Sequence, residues 1–172
     1  MKLSISDEVL AEIGKITVIF GLIEFSLAEI IGRIVTHGGQ RHALGTIVTA
    51  EMSFKQRMST LDSVLRLGLG EDHEAVRQFD EIKPLLFDAE QKRNTVVHSA
   101  WINDSDAADP HTMFRVKATA RARRGLRTDF VKTTLSDLQQ TAYTLGSAYS
   151  RLCVFESRFH SDPDEEPTEA SS

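Results

Sequence analysis

Arg93-Asn94-Thr95-Val96-Val97-His98 places a guanidinium and an imidazole five positions apart, with a polar residue directly after the arginine. An arginine neutralises a phosphate through a planar, permanently charged fork. A histidine carries a proton in either direction near neutral pH. Together they form a minimal kit for cutting RNA, in which the 2′-hydroxyl is the internal nucleophile and no metal is strictly required. Arg66 and His73 stand a similar distance apart, but Gly68 and Gly70 between them are read as a turn that breaks any shared helix.

Residues five apart on a helix of period 3.6 project about 140° from each other, so Arg93 and His98 do not share a face. Asn94 and His98 do. Convergence of arginine and histidine then requires a fraying last turn or a second copy of the protein. The second solution predicts a homodimer with a shared cleft. The bland alternative is that Arg93 pairs with a buried glutamate while His98 sits as a favourable cation at a helix end.

The elements that must position these residues follow from apolar spacing. Val9, Ile13, Ile16, Phe20, Ile23, Leu27, Ile30 and Ile34 alternate steps of four and three, a single stripe on one long helix. Ser6 is its expected N-cap and Gly38-Gly39 its stop. Leu138, Ala142, Leu145, Tyr149, Leu152 and Phe155 repeat the pattern on a second long helix, capped by Thr134 or Ser136 and running to about Phe159. Between the two, the spacing predicts short helices over 41–50 and 54–67. A helix from about Asp72 to His98 follows, kinked or divided at Pro84. Strands are expected at Ala100 to Asn103 and Thr112 to Ala120, with a polar turn over 104–110. Arg121 to Thr133 reads as a basic connection with room for a third short strand. The predicted fold class is all-α: a helical bundle with two long antiparallel helices and a small β-hairpin inserted before the last helix.

The 172 residues fit one domain, read as 1–160 with a disordered acidic tail at 161–172. The chain is 41% hydrophobic and 26% charged, ordinary for a soluble globular protein. Its net charge of −5 comes from the tail, where Asp162, Asp164, Glu165, Glu166 and Glu169 lie. The remainder is neutral, so a nucleic-acid surface must be a local patch. The dense basic run Arg115, Lys117, Arg121, Arg123, Arg124, Arg127 and Lys132 supplies one, with Arg121, Arg123 and Arg124 as the RNA-binding candidates. Charge runs also serve as plain solvated faces. One cysteine, Cys153, rules out an internal disulfide and is expected buried. The six histidines show no paired metal-ligand spacing, so no metal and no cofactor are expected. No leader or membrane-spanning stretch is read, since Glu24 and Glu29 interrupt the apolar run, and a cytoplasmic location is expected. Glu24, beside Ile23 on the stripe, is read either as a structural ion-pair partner of Arg93 or as the group that holds it in place. Trp101 is expected to pack the hairpin rather than to stack a base.

The chain resembles the HEPN superfamily, small helical bundles whose motif is an arginine, four to six residues, then a histidine, commonly with a polar residue directly after the arginine. Arg93, Asn94 and His98 match that motif, and His98-Ser99-Ala100-Trp101 is similar to the strand start that follows it in bacterial members. The element order agrees from about Asp7 to Phe159, whereas the sequence-specific match covers Arg93 through Trp101. The resemblance implies a metal-independent endoribonuclease with its site formed across a homodimer interface. Catalysis would then lie with Arg93, His98 and Asn94. It further implies RNA as substrate, a toxin–antitoxin or phage-defence role, and an antitoxin protein as partner. Other members of the superfamily are non-catalytic RNA- or protein-binding modules. A structural or regulatory helical dimer is the third expectation.

Overall fold

A computed structural model describes residues 5–36, 45, 47–104, 111–121 and 125–159, with backbone only at 119–121 and 125–127. The chain is mostly helical, with a small antiparallel sheet before the last helix. In order come α1 (Asp7–Thr36), α2 (Phe54–Leu69), α3 (Glu74–Val97), β1 (Ala100–Asn103), β2 (Met113–Arg121), β3 (Gly125–Thr133) and α4 (Leu135–Glu156), the last continued by a 3₁₀ turn at Ser157–Phe159.

Local chemistry explains the boundaries. The Ser6 hydroxyl accepts from the Val9 amide at 3.4 Å and caps α1 as the sequence predicts. Ser53 and Gln56 form a reciprocal capping box at α2, the Ser53 amide donating to Gln56 Oε1 at 2.8 Å. Thr134 and Asp137 do the same for α4. Gly70, at φ 87°, ends α2 in a conformation that side chains disfavour.

Two expectations are corrected here. Pro84 does not divide α3, which is continuous from Glu74 to Val97, with Phe79, Ile82, Leu86 and Ala89 buried on either side of it. Gly68 is no turn residue, since α2 runs through it to Leu69. The hairpin also gains a full third strand, giving the order β1-β2-β3. Gly38-Gly39, His37, His42, His160 and the tail lie outside the described residues.

The chain divides into two compact units. The first comprises Met1–Leu22 and Pro84–Tyr149. Its core gathers Val9, Ile16 and Phe20 of α1, Leu86, Ala89 and Val96 of α3, Met113 of β2, and Leu138, Ala142, Leu145 and Ala148 of α4, all buried. The sheet turns the rungs Asn103–Met113–Thr133 and Trp101–Arg115–Val131 to one face. Met113 and Thr133 on that face are buried, while Ile102 and Phe130 on the other are exposed. The Ser6 hydroxyl meets His111 Nδ1 at 3.2 Å.

The second unit comprises Ile23–Lys83 and Ser150–Ser172. Here α1 is buried on almost every side, from Ser26 to Gly32, against which Phe54, Met58, Leu61, Leu65, Phe79, Leu152 and Phe155 complete a core. Phe79 and Phe155 rings lie 5.6 Å apart. Arg57 ties the unit through main-chain acceptors, donating to the Glu24 carbonyl at 3.0 Å and the Thr49 carbonyl at 3.2 Å. Arg66 pairs with Asp62, Glu71 and Asp80, so the Arg66–His73 spacing serves ion pairing on the arginine side. Cys153 is half-buried rather than sealed in the core.

Candidate functional site

The buried stripe along α3 runs Ala75, Phe79, Ile82, Leu86, Ala89 and Val96, with Val76 buried beside its start. The steps are four, three, four, three and seven, and Arg93 fills the gap four residues after Ala89 and three before Val96. The arginine therefore occupies a core-facing position of an amphipathic helix. Its guanidinium carbon lies 5.0 Å from the centroid of the Phe20 ring, within cation–π range. Nη1 donates to Asn94 Oδ1 at 2.9 Å. Nε is buried and has no hydrogen-bond acceptor. Among the described residues no carboxylate pairs with this guanidinium. Such a charge is stabilised by little besides an amide and a ring face, which leaves it disposed towards an anion.

His98 follows the last helical residue and is exposed. Its amide closes the final turn on the Asn94 carbonyl at 3.2 Å. Ser99 Oγ donates to the Thr95 carbonyl at 2.6 Å, and Trp101 Nε1 to the Val96 carbonyl at 3.1 Å. Three consecutive carbonyls at the α3 terminus are thus satisfied in turn, which a helix end requires. That accounts for the run His98-Ser99-Ala100-Trp101 locally: it stops the helix and starts β1. Trp101 is half-buried, with its indole N–H tied to the α3 terminus.

The structure holds Arg93 and Asn94 in direct contact and places His98 one turn beyond Asn94. Arg93 and His98 differ in environment, the first half-buried at the core stripe, the second open to solvent. Arg93 and Asn94 belong to the first unit and Glu24 to the second. Within its own unit Arg93 engages Phe20 and Asn94. Of the basic run, Arg123 and Arg124 lie outside the described residues; Arg121 ends β2 opposite Gly125. Arg115 and Lys117 are half-buried.

Sequence reasoning missed a cleft of about 400 Å³ in the first unit, lined by residues of α3, the sheet and the first turns of α4, with Trp101 and Arg115 among them. None of Arg93, Asn94 and His98 lines it. The alternation of the strands put Trp101 and Arg115 on one face, but only their register made them neighbours.

Among the described residues no group of three or more histidine, cysteine, aspartate or glutamate side chains is gathered for a metal ion. No described helix is long and apolar enough to cross a membrane. No family model matches the chain, and neither a curated protein nor a solved structure matches it.

Proposed function

We propose that the chain is a metal-independent endoribonuclease of the HEPN type, acting on RNA as a homodimer. The observation that carries this reading is the Arg93–Asn94 pair one turn before an exposed His98, with a guanidinium that no carboxylate neutralises among the described residues. In the finer architecture that goes with it, the long helices α1 and α4 run antiparallel.

The chemistry follows from the residue types. The 2′-oxygen attacks phosphorus, and its proton passes to one imidazole. The P–O5′ bond breaks as a second imidazole, in its protonated form, delivers a proton to the leaving 5′-oxygen. The products are a 2′,3′-cyclic phosphate and a 5′-hydroxyl. General acid–base catalysis by His98 accounts for roughly 10²–10⁴-fold in rate. Arg93 stabilises the charge that develops on the non-bridging oxygens, and Asn94 orients the guanidinium. Because Arg93 is half-buried on the core stripe of α3 while His98 is exposed beyond its end, a second copy brings an imidazole to the arginine of the first and supplies both acid and base. A cytoplasmic toxin, or a phage-defence effector restrained by an antitoxin protein, fits such an activity.

A specific observation favours a second reading. Arg93 fills a position of the apolar stripe and covers Phe20, a role that a non-catalytic RNA- or protein-binding module on the same fold also needs. Cleavage of structured RNA in the presence of EDTA decides between them. Wild-type protein that leaves 2′,3′-cyclic ends, with a His98→Ala variant that does not, supports the ribonuclease. Equal cleavage by both, or none by the wild type, overturns it.

A further inference from the structure

The motif does not account for the cleft lined by Trp101 and Arg115, and the charges around that cleft are unevenly satisfied. Lys92 is held by Asp88 at 2.6 Å. Lys132 is held by Asp104 at 3.2 Å. The Asp137 carboxylate accepts from the Thr134 amide and hydroxyl, both at 2.8 Å. Arg115 alone of these lining charges has no partner among the described residues, although it is half-buried. Partial desolvation of an unpaired guanidinium is unfavourable and is relieved by an anion that accepts its parallel N–H groups.

The aromatic side of the cleft is equally prepared. Trp101 stands directly opposite Arg115 in the β1–β2 ladder, so their side chains rise from adjacent points on one face, about 5 Å apart at Cβ. The indole N–H is already committed to the Val96 carbonyl, which fixes the ring and leaves it no polar demand of its own. A ring fixed beside an open guanidinium suits a ligand with one planar end and one anionic end separated by a short spacer. At about 400 Å³ the cleft falls within the usual range of small-molecule sites, roughly 300–1,000 Å³.

We propose that this cleft binds a nucleoside monophosphate, its phosphate on Arg115 and its base against Trp101. The assignment is independent of the ribonuclease reading, because no motif residue lines the cleft.

Trp101 is the only tryptophan in the chain, so tryptophan emission, excited selectively over Tyr143 and Tyr149, reports on the surroundings of this one residue. Titration of the full-length protein with adenosine 5′-monophosphate or uridine 5′-monophosphate is expected to change that fluorescence saturably. Adenosine and inorganic phosphate, each carrying half of the recognition, should bind at least about tenfold more weakly. Arg115→Gln should lose about tenfold or more, the equivalent of one charge-assisted contact, and Arg115→Lys should fall between. Thr141→Phe, which fills the cleft from α4 and leaves the sheet untouched, should abolish the response while circular dichroism stays unchanged. His98→Ala should bind as the wild type does. No saturable change with either nucleotide at millimolar concentration would overturn the proposal. So would unaltered affinity in a folded Arg115→Gln, or a response to a short oligoadenylate that the mononucleotides fail to give.

Discussion

Arg93 and His98 make different demands on the fold, and that difference can be measured. The His98 ring is exposed, so its removal costs little packing. His98→Ala should leave the melting temperature within about 1 °C of wild type, a surface change of a few tenths of a kcal/mol, while cleavage falls by roughly 10²–10⁴-fold. Arg93→Ala removes the cation over Phe20 and its aliphatic stem from the apolar stripe, and it frees Asn94 Oδ1 of its donor. It should cost about 1–3 kcal/mol in urea unfolding as well as activity. An Arg93→Ala protein as stable as wild type would mean that the guanidinium is positioned for chemistry alone. Residue types and spacing nominated Arg93, Asn94 and His98 in the chain. The Phe20 contact was not, because it joins residues more than seventy positions apart.

Helices are set here by caps and by close approach, and both make predictions. Thr134→Ala deletes the hydroxyl that accepts from the Asp137 amide at 3.2 Å and should destabilise the chain by about 1 kcal/mol. The Thr134 amide and hydroxyl together hold the Asp137 carboxyl below its ordinary range. Asp80 is lowered in the same direction, by its bond to Lys83 first and to Arg66 next. A carboxyl whose folded value is depressed contributes stability above its unfolded value, near 3.9, and loses it as pH falls through the folded one. Thermal stability should therefore decline below about pH 4, and the Asp80→Asn, Asp137→Asn double variant should show a shallower decline. An identical acid profile would remove both groups from the account. At Gly45, an added Cβ would stand 2.8 Å from the Ala28 carbonyl oxygen and 2.9 Å from Gly32 Cα. Both are backbone atoms that cannot rotate away, so Gly45→Ala should destabilise by about 1–3 kcal/mol as an overpacking change. The same substitution at Gly14 or Gly146, where nothing lies within 4 Å, is expected to be neutral or mildly stabilising. The sequence announced the Ser6 cap and offered Thr134 or Ser136 for α4 through residue type, whereas the Ser53–Gln56 capping box appeared only in the structure. It misread Gly68 as a turn, and of its two readings of Pro84 the division does not occur, because a local preference of one to three kcal/mol (about that size for proline and glycine in helices) yields to the burial of Phe79, Ile82 and Leu86 around Pro84 and of Leu61 and Leu65 before Gly68.

For the whole molecule, charge is the property that sequence fixes and geometry redistributes. The five acidic residues of the tail account for the net −5, which leaves the rest of the chain neutral with a local basic run from Arg115 to Lys132. Reversing Arg121, Arg123 and Arg124 together should make the salt dependence of RNA binding shallower by about two units on a log–log plot, at roughly 0.7 per single-strand phosphate contact. An unchanged slope would assign that run to a solvated face. Helical content, the two long apolar stripes and the insertion of strands before the last helix were determined by the sequence alone, since periods of 3.6 and 2 are local properties of a chain. The tertiary structure decided that Arg93 completes a core stripe, that Trp101 stands on a rung with Arg115, and that an unpaired guanidinium borders a cleft. Each depends on which residue of one element lies opposite which residue of another, and strand register and side-chain packing settle that only once the chain has folded.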